Sequence, residues 1–99
     1  MVLALALVHH VAIGANVPVR EFVSWLGDLG SALVIEFPTR DDPMVQKLLA
    51  SKRDGLHPDY ERGFFERCLQ EAFDVQRSEQ LGSGTRILYY ATPKSAGVT

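Results

Sequence analysis

Two adjacent histidines are the residues of this sequence best suited to chemistry. His9 and His10 follow an apolar run, residues 1–8. Because imidazole titrates near neutral pH, either residue could orient a substrate or accept its proton. In the alternative, one histidine packs against the following helix and the other is solvated. A metal site has weaker support, because adjacent side chains on an extended segment diverge and His57 is the only other histidine.

A second candidate is Glu36, which is the only charged residue in the apolar stretch 31–37. A carboxylate there must face solvent, a crevice or a cationic partner, because burying an unpaired charge is costly. We therefore take Glu36 as a candidate substrate-binding residue, with an ordinary carboxylate at the rim of the sheet as the alternative. Cys68 falls on the apolar face of a predicted helix and is expected to lie in the core.

The first elements that must position these side chains are a strand, a helix and a second strand. Residues 1–8 are uniformly apolar, which predicts a strand buried on both faces. A transmembrane helix would need about 20 apolar residues. Pro18 then opens a helix that ends at Gly30, and residues 31–37 form the second strand. The expected inner face of this helix is Val19, Phe22, Val23, Leu26 and Leu29.

The second half of the sequence predicts two helices and a hairpin. Asp42 and Pro43 open a helix with a capping carboxylate, and its expected inner face is Met44, Val45, Leu48 and Leu49. Residues 52–59 are expected to form a loop, and residues 60–73 a helix with an aromatic face. The runs 74–81 and 85–92, joined by Gly82-Ser83-Gly84, predict an antiparallel hairpin.

The expected fold class is therefore α/β, with the order β-α-β-α-α-β-β. A parallel crossover forms its first part and an antiparallel hairpin its end. Residues 1–94 would form the folded unit and residues 95–99 a disordered tail. Ten Lys and Arg against twelve Asp and Glu give a net charge of −2, so neither nucleic acid nor a membrane is an expected partner. A single cysteine favours a cytoplasmic location.

The position of the first strand bears on the extent of the domain. A strand that is apolar on both faces belongs inside a sheet, covered by helices on both sides. The sequence begins on this strand, which predicts that the chain is the second half of a larger doubly wound domain.

Five segments carry a resemblance to a known family: Leu7-Val8-His9-His10, Val17-Pro18, Leu33-Val34-Ile35-Glu36-Phe37, Asp42-Pro43-Met44-Val45-Gln46 and the hairpin 73–92. Together they resemble the C-terminal half of a class I S-adenosylmethionine-dependent methyltransferase of the small bacterial type. The resemblance implies half of a Rossmann-like sheet, whose last strand is inserted antiparallel between the second and third strands of this chain.

The same resemblance implies the cofactor and the roles of the candidate residues. His9 or His10 would lie beside the methyl donor, S-adenosylmethionine, and Glu36 at the substrate mouth. The family's glycine-rich turn after its first strand is absent, so the chain is expected to be inactive without an N-terminal cofactor-binding half. The alternative is a non-enzymatic interaction module that forms a homodimer through the strand at residues 2–8.

Overall fold

The computed structural model describes residues 1–5, 7–50, 58–82 and 84–94. Most of the predicted loop 52–59, His57 and the predicted tail 95–99 lie outside the described residues. The four strands are β1 (Val2–Ala4), β2 (Leu33–Pro38), β3 (Phe73–Gln80) and β4 (Arg86–Pro93). The helices are α1 (Val19–Asp28), α2 (Pro43–Ala50) and α3 (Arg62–Ala72), and a π-helix at His10–Gly14 precedes α1. The predicted order of strands and α-helices is confirmed, and the π-helix is an addition to it.

The strands form one mixed α/β sheet in the order β1-β2-β4-β3. β1 and β2 are parallel, and β4 is antiparallel to both of its neighbours. Three strands therefore run in one direction, and β4 runs against them between β2 and β3. The predicted parallel pairing, the hairpin and the position of the last strand are confirmed.

Alternate residues of the central strands bury one face of the sheet against the helices. The buried side chains of β2 and β4 on this face are Leu33, Ile35, Phe37, Ile87, Tyr89 and Ala91. The face predicted for α1 is buried at Val19, Phe22, Val23 and Leu26. Leu29 lies just past the helix and is exposed, so its inclusion in that face was wrong. Cys68 is buried on α3, as expected.

The prediction that the first strand is buried on both faces was wrong. Strand pairing covers three residues, and Ala4 is buried while Leu3 is 64% exposed. Leu5 is 54% exposed and Leu7 is also exposed, whereas Val8 is buried. The physical reason is one-sided cover: the core lies against Ala4 and Val8, and the described residues leave Leu3 open to solvent.

The buried face predicted for α2 also contained more residues than the structure buries. Only Val45 is fully buried; Leu48 and Leu49 are half-buried and Met44 is exposed. The reason is that α2 makes its main contacts with the short π-helix rather than with the sheet. Its start is as predicted, because Asp42 Oδ1 accepts a hydrogen bond from the Met44 amide at 3.0 Å.

Gly30 and Glu61 define two further helix ends, the end of α1 and the start of α3. Gly30 has φ +68°, the left-handed conformation expected just past α1. Glu61 caps α3 by accepting hydrogen bonds from the Gly63 and Phe64 amides at 2.7 and 3.2 Å. None of the helices within the described ranges has the length and apolar character needed to cross a bilayer.

Tyr60 ties the start of α3 to the end of β2. Its ring is fully buried and stacks on Phe37, with centroids 4.8 Å apart. Its hydroxyl donates a hydrogen bond to the Pro38 carbonyl. Burial raises the pKa of the Tyr60 phenol, so the group remains protonated and can donate across the ordinary pH range. Tyr60 therefore joins an aromatic contact and a polar contact at the sheet edge.

We expect Tyr60→Phe to lower the free energy of unfolding by about 1 to 3 kcal/mol, because the buried Pro38 carbonyl loses this donor. Urea unfolding followed by circular dichroism measures the change. Tyr90→Phe is the matched control, because Tyr90 is exposed and its change is expected to stay within about 0.5 kcal/mol. Equal stability of Tyr60→Phe and the wild-type chain would show that this hydrogen bond contributes nothing.

Candidate functional site

The candidate site lies where β1 and β2 end and β4 begins. Because β1 and β2 are parallel, their carboxyl ends lie at the same edge of the sheet. β4 is antiparallel, so its first residue, Arg86, pairs with Pro38 at the end of β2. The segment after β1 brings His9 towards this edge, and the segment after β2 brings Asp42. We call Glu36, Asp42 and Arg86, together with His9 and His10, the edge cluster.

Arg86 is the centre of the edge cluster. Its guanidinium donates to both Asp42 oxygens, from Nε to Oδ2 at 2.8 Å and from Nη2 to Oδ1 at 3.3 Å. A third bond runs from Nη1 to Glu36 Oε1 at 3.3 Å. One cation therefore holds two carboxylates, and the Asp42 pairing is bidentate, the geometry in which arginine binds carboxylates most strongly.

Of the two acids bound by Arg86, Asp42 is held more strongly. Its side chain is 4% exposed, and it also accepts a hydrogen bond from the Thr85 hydroxyl at 2.8 Å. The hydrogen bond from Arg86 is the main cause that lowers the pKa of Asp42 to about 2, with help from Thr85 and the Met44 amide and against the effect of burial. In return, Asp42 raises the pKa of Arg86. The pair is therefore fully ionised at neutral pH.

Glu36 has a cationic partner, which is one of the three surroundings that its sequence position left open. Its side chain is 12% exposed and lies 3.3 Å from Arg86. Of the three alternatives open from the sequence, solvent, a crevice or a cation, the structure shows the third. Glu36 and Arg86 are joined across neighbouring strands, since Glu36 pairs with Leu88 and Pro38 with Arg86 in the register of β2 and β4.

Hydrogen bonds hold the segment that follows β2 in place at this edge of the sheet. The Thr39 amide and hydroxyl both donate to the Thr85 carbonyl, at 2.7 and 3.2 Å. Arg40 Nε donates to the Tyr60 carbonyl at 2.9 Å. The segment after β2 is therefore fixed on one side to the start of β4 and on the other to the residues before α3.

The two histidines differ in exposure. His9 is 1% exposed, and His10, the first residue of the π-helix, is exposed. Their ring centroids are 4.2 Å apart with a tilt of 36°. The expectation that the two side chains diverge on an extended segment was wrong, because the chain turns into a helix at Val8 and brings the rings together.

The surroundings of His9 favour the neutral imidazole. Its pKa is lowered first by burial, then by the nearby His10 and Arg86, while Asp42 and Glu36 act in the opposite direction. These influences place His9 within electrostatic range of the whole edge cluster. Its Nδ1 is buried with no hydrogen-bond partner among the described residues. Such an atom is uncommon in folded proteins and marks a strained or functional position.

The sequence did not single out Arg86, and it identified Asp42 only as a helix cap. The Asp42 cap was visible because a carboxylate stands before a helix with proline in its first turn. The ion pair was not visible, because it depends on β4 lying beside β2, far along the chain. Given the strand order and register, the sequence signal for the ion pair is Arg86 at the start of β4, beside Glu36 near the end of β2.

The described residues of the edge cluster form neither a metal site nor a complete site for the implied cofactor. No group of three potential ligands for a metal ion occurs within the described part of the chain. Gly82 and Gly84 lie between two antiparallel strands, and β4 rather than a helix follows them. Without a helix N-terminus behind it, this turn does not form the usual cradle for an anionic or nucleotide group. The described residues therefore do not fit S-adenosylmethionine as a complete site.

The lowered pKa of Asp42 predicts a pH dependence of stability. The stabilisation from a depressed carboxyl pKa is fully present above the unfolded value, 3.8, and is lost as the pH falls towards about 2. The difference corresponds to about 2 kcal/mol. We expect Asp42→Asn to lose about this much stability at neutral pH and to show a flatter decline between about pH 4 and 2.

Urea unfolding at several pH values measures this change. Asp41→Asn is the control, because Asp41 is exposed beside Asp42 and its substitution is expected to change stability by less than about 0.5 kcal/mol. If Asp42→Asn kept the acid dependence of the wild-type chain, Asp42 would not be the group that couples protonation to unfolding.

Comparison with known proteins finds one informative similarity. The chain is 35% identical over 88 residues to the nodulation protein NoeA of Rhizobium meliloti (strain 1021). The alignment covers 89% of this chain and 18% of NoeA, so the chain spans less than a fifth of the length of this relative. No protein-family model matches the sequence, and no solved structure matches it.

Proposed function

We propose that this chain is the acceptor-side part of an S-adenosylmethionine-dependent methyl-transfer domain, completed by a further segment that binds the cofactor. The observation that carries the proposal is the strand arrangement. β4 runs antiparallel between β2 and β3, while the other three strands share one direction. The resemblance to class I methyltransferases implies this insertion of the last strand.

The location of the edge cluster is the second support. Open α/β sheets bind their ligands outside the carboxyl ends of the strands, and the edge cluster lies at the ends of β1 and β2. His10 is exposed there and is the residue that would contact a methyl acceptor, orienting it or accepting its proton. His9 is buried against His10 and would position its ring. Glu36, held by Arg86, would form the rim of the substrate mouth.

When bound, S-adenosylmethionine supplies an electrophilic methyl group. The described residues lack a complete cradle for it, so this chain's own contribution is limited to the acceptor side. A stretch similar to this chain occurs within the much longer NoeA, which supports a chain that works as part of a larger protein. The reduced thiol of Cys68 fits a cytoplasmic location, which is part of the proposal.

Binding of S-adenosylmethionine to two preparations tests the proposal. One is the 99-residue chain; the other is the native protein or assembly purified from its source through a tag at the chromosomal locus. Isothermal titration calorimetry is expected to show no micromolar binding to the chain, because the cofactor cradle is incomplete. The native preparation is expected to bind with a dissociation constant of about micromolar order.

Each outcome of this experiment bears on the proposal. Absence of binding by the native preparation would overturn a role in methyl transfer. Micromolar binding by the 99-residue chain would overturn the division into an acceptor side and a separate cofactor side. ATP added in place of S-adenosylmethionine is the control for unspecific adenosine binding.

A second candidate is an interaction module that self-associates through β1, and one observation favours it. β1 is an edge strand of the sheet. The Val2 amide donates inward to the Ala32 carbonyl at 2.8 Å, so the next amide, that of Leu3, points away from β2 by the alternation of the strand. An open strand edge of this kind can pair with a strand of a second chain.

Leu3→Pro tests this candidate. Proline removes the outward amide and is tolerated at an open edge, so a dimer formed by edge pairing should dissociate to a species of 11.0 kDa in sedimentation experiments. Leu3→Thr is the matched control, because it also removes the leucine side chain but keeps the amide. Equal association of the two variants would rule out pairing through the β1 edge.

A further inference from the structure

The side of the sheet opposite the helices is an uncovered apolar surface. Residues paired directly across strands point to the same face, and Leu3 pairs with Val34, which pairs with Tyr90, which pairs with Arg77. Two positions along, Glu36 pairs with Leu88 and Leu88 with Glu79. We call this side the outer face, formed by Leu3, Val34, Leu88, Tyr90, Arg77, Glu79 and the Glu36–Arg86 pair.

The outer face is open to solvent in the described structure. Tyr90 is 38% exposed, Leu3 is far more exposed, and Val34 and Leu88 are only half-buried. On the helix side, the alternate residues of β2 and β4 are fully buried at Leu33, Ile35, Phe37, Ile87, Tyr89 and Ala91. A groove of about 380 Å³ runs across the outer face and is lined by Val34, Leu88, Tyr90, Arg77 and Glu79. Four apolar side chains, Leu3, Val34, Leu88 and Tyr90, therefore lie beside the two exposed charges of β3 on this open face.

We propose that the outer face docks a second copy of this chain around a two-fold axis. The axis would lie in the plane of the interface, perpendicular to the strands, at the level of Ser78 and Tyr89. Such an axis reverses the strand direction of the second copy and keeps each strand opposite itself. Arg77 of each copy then faces Glu79 of the other.

Charge complementarity selects this occupant. Arg77 and Glu79 are exposed, lie two residues apart on the same face of β3 and form no ion pair with any residue in the described ranges. The same axis places Tyr90 opposite Leu88 of the second copy. Two salt bridges and an apolar centre thus arise from one symmetry operation. The remaining acid of this face, Glu36, is held by Arg86 within its own chain.

The expected dimer is weak. A face of four strands is about 19 Å wide, from a strand spacing of about 4.8 Å. The longest strands, β3 and β4, have eight residues each, so the face is about 27 Å long at about 3.4 Å per residue. Two such faces have a flat area of about 1,000 Å², below the roughly 1,200 to 2,000 Å² of standard stable interfaces. We therefore expect a dissociation constant of about 10 to 100 μM. The inference does not rest on the methyl-transfer proposal, since it uses only the sheet face.

Charge reversal on β3 tests the docking. Sedimentation equilibrium of the wild-type chain at concentrations up to about 500 μM is expected to approach twice 11.0 kDa. Arg77→Glu and Glu79→Arg each place like charges across the axis twice, so each should weaken dimerisation by about tenfold or more. The double variant Arg77→Glu/Glu79→Arg restores both pairs and should return the affinity to within about threefold of the wild-type value.

The control is Glu21→Arg, on the exposed surface of α1, which should dimerise like the wild-type chain. A monomeric wild-type chain, single variants that dimerise normally, or a double variant that stays weak would each overturn the proposal. Because β3 lies at the sheet edge opposite β1, these substitutions do not affect pairing through the β1 edge. A dimer that loses affinity in Leu3→Pro and keeps it in Leu3→Thr and in both charge reversals would identify edge pairing instead.

Discussion

The guanidinium of Arg86 is the interaction on which the carboxyl edge of the sheet depends. It holds Asp42, the residue that starts α2, and Glu36, a residue of β2, while itself belonging to β4. Without this cation, two largely buried carboxylates would lose the positive charge that offsets their own charges, which is costly. The bidentate geometry fixes direction as well as distance. One side chain therefore sets where a strand, a helix start and a neighbouring strand meet.

The state of the histidines follows from this arrangement. Arg86 supplies one positive charge and the two acids two negative charges, so their effects on His9 oppose one another and burial decides its ionisation. A buried imidazole without a hydrogen-bond partner on Nδ1 is stable only as the neutral form. His10, on the exposed side of the ring contact, has no such constraint and remains accessible to solvent.

Local patterns predicted the elements, and long-range pairing decided the site. The face of α1, the Asp42 cap and the hairpin depend on residues close in sequence, and all three were predicted correctly except for Leu29 in the face of α1. The ion pair of Arg86 with Glu36 spans 50 residues and depends on β4 entering between β2 and β3, which periodicity does not specify. The burial of the first strand was predicted wrongly. Its apolar sequence indicates that burial of either face would be favourable, but the described residues cover only the face with Ala4.

The outer face of the sheet also connects the two proposals. Leu3, Val34 and Tyr90 form an apolar strip across β1, β2 and β4. A completing segment that covered the outer face would exclude a second copy from it, because the same side chains cannot pack against both. Completion through the β1 edge alone would leave the outer face free. Glu36, the proposed rim of the substrate mouth, also lies on the outer face beside Leu88, so a second copy would cover part of that mouth. Methyl transfer and face-to-face dimerisation are therefore competing uses of this surface.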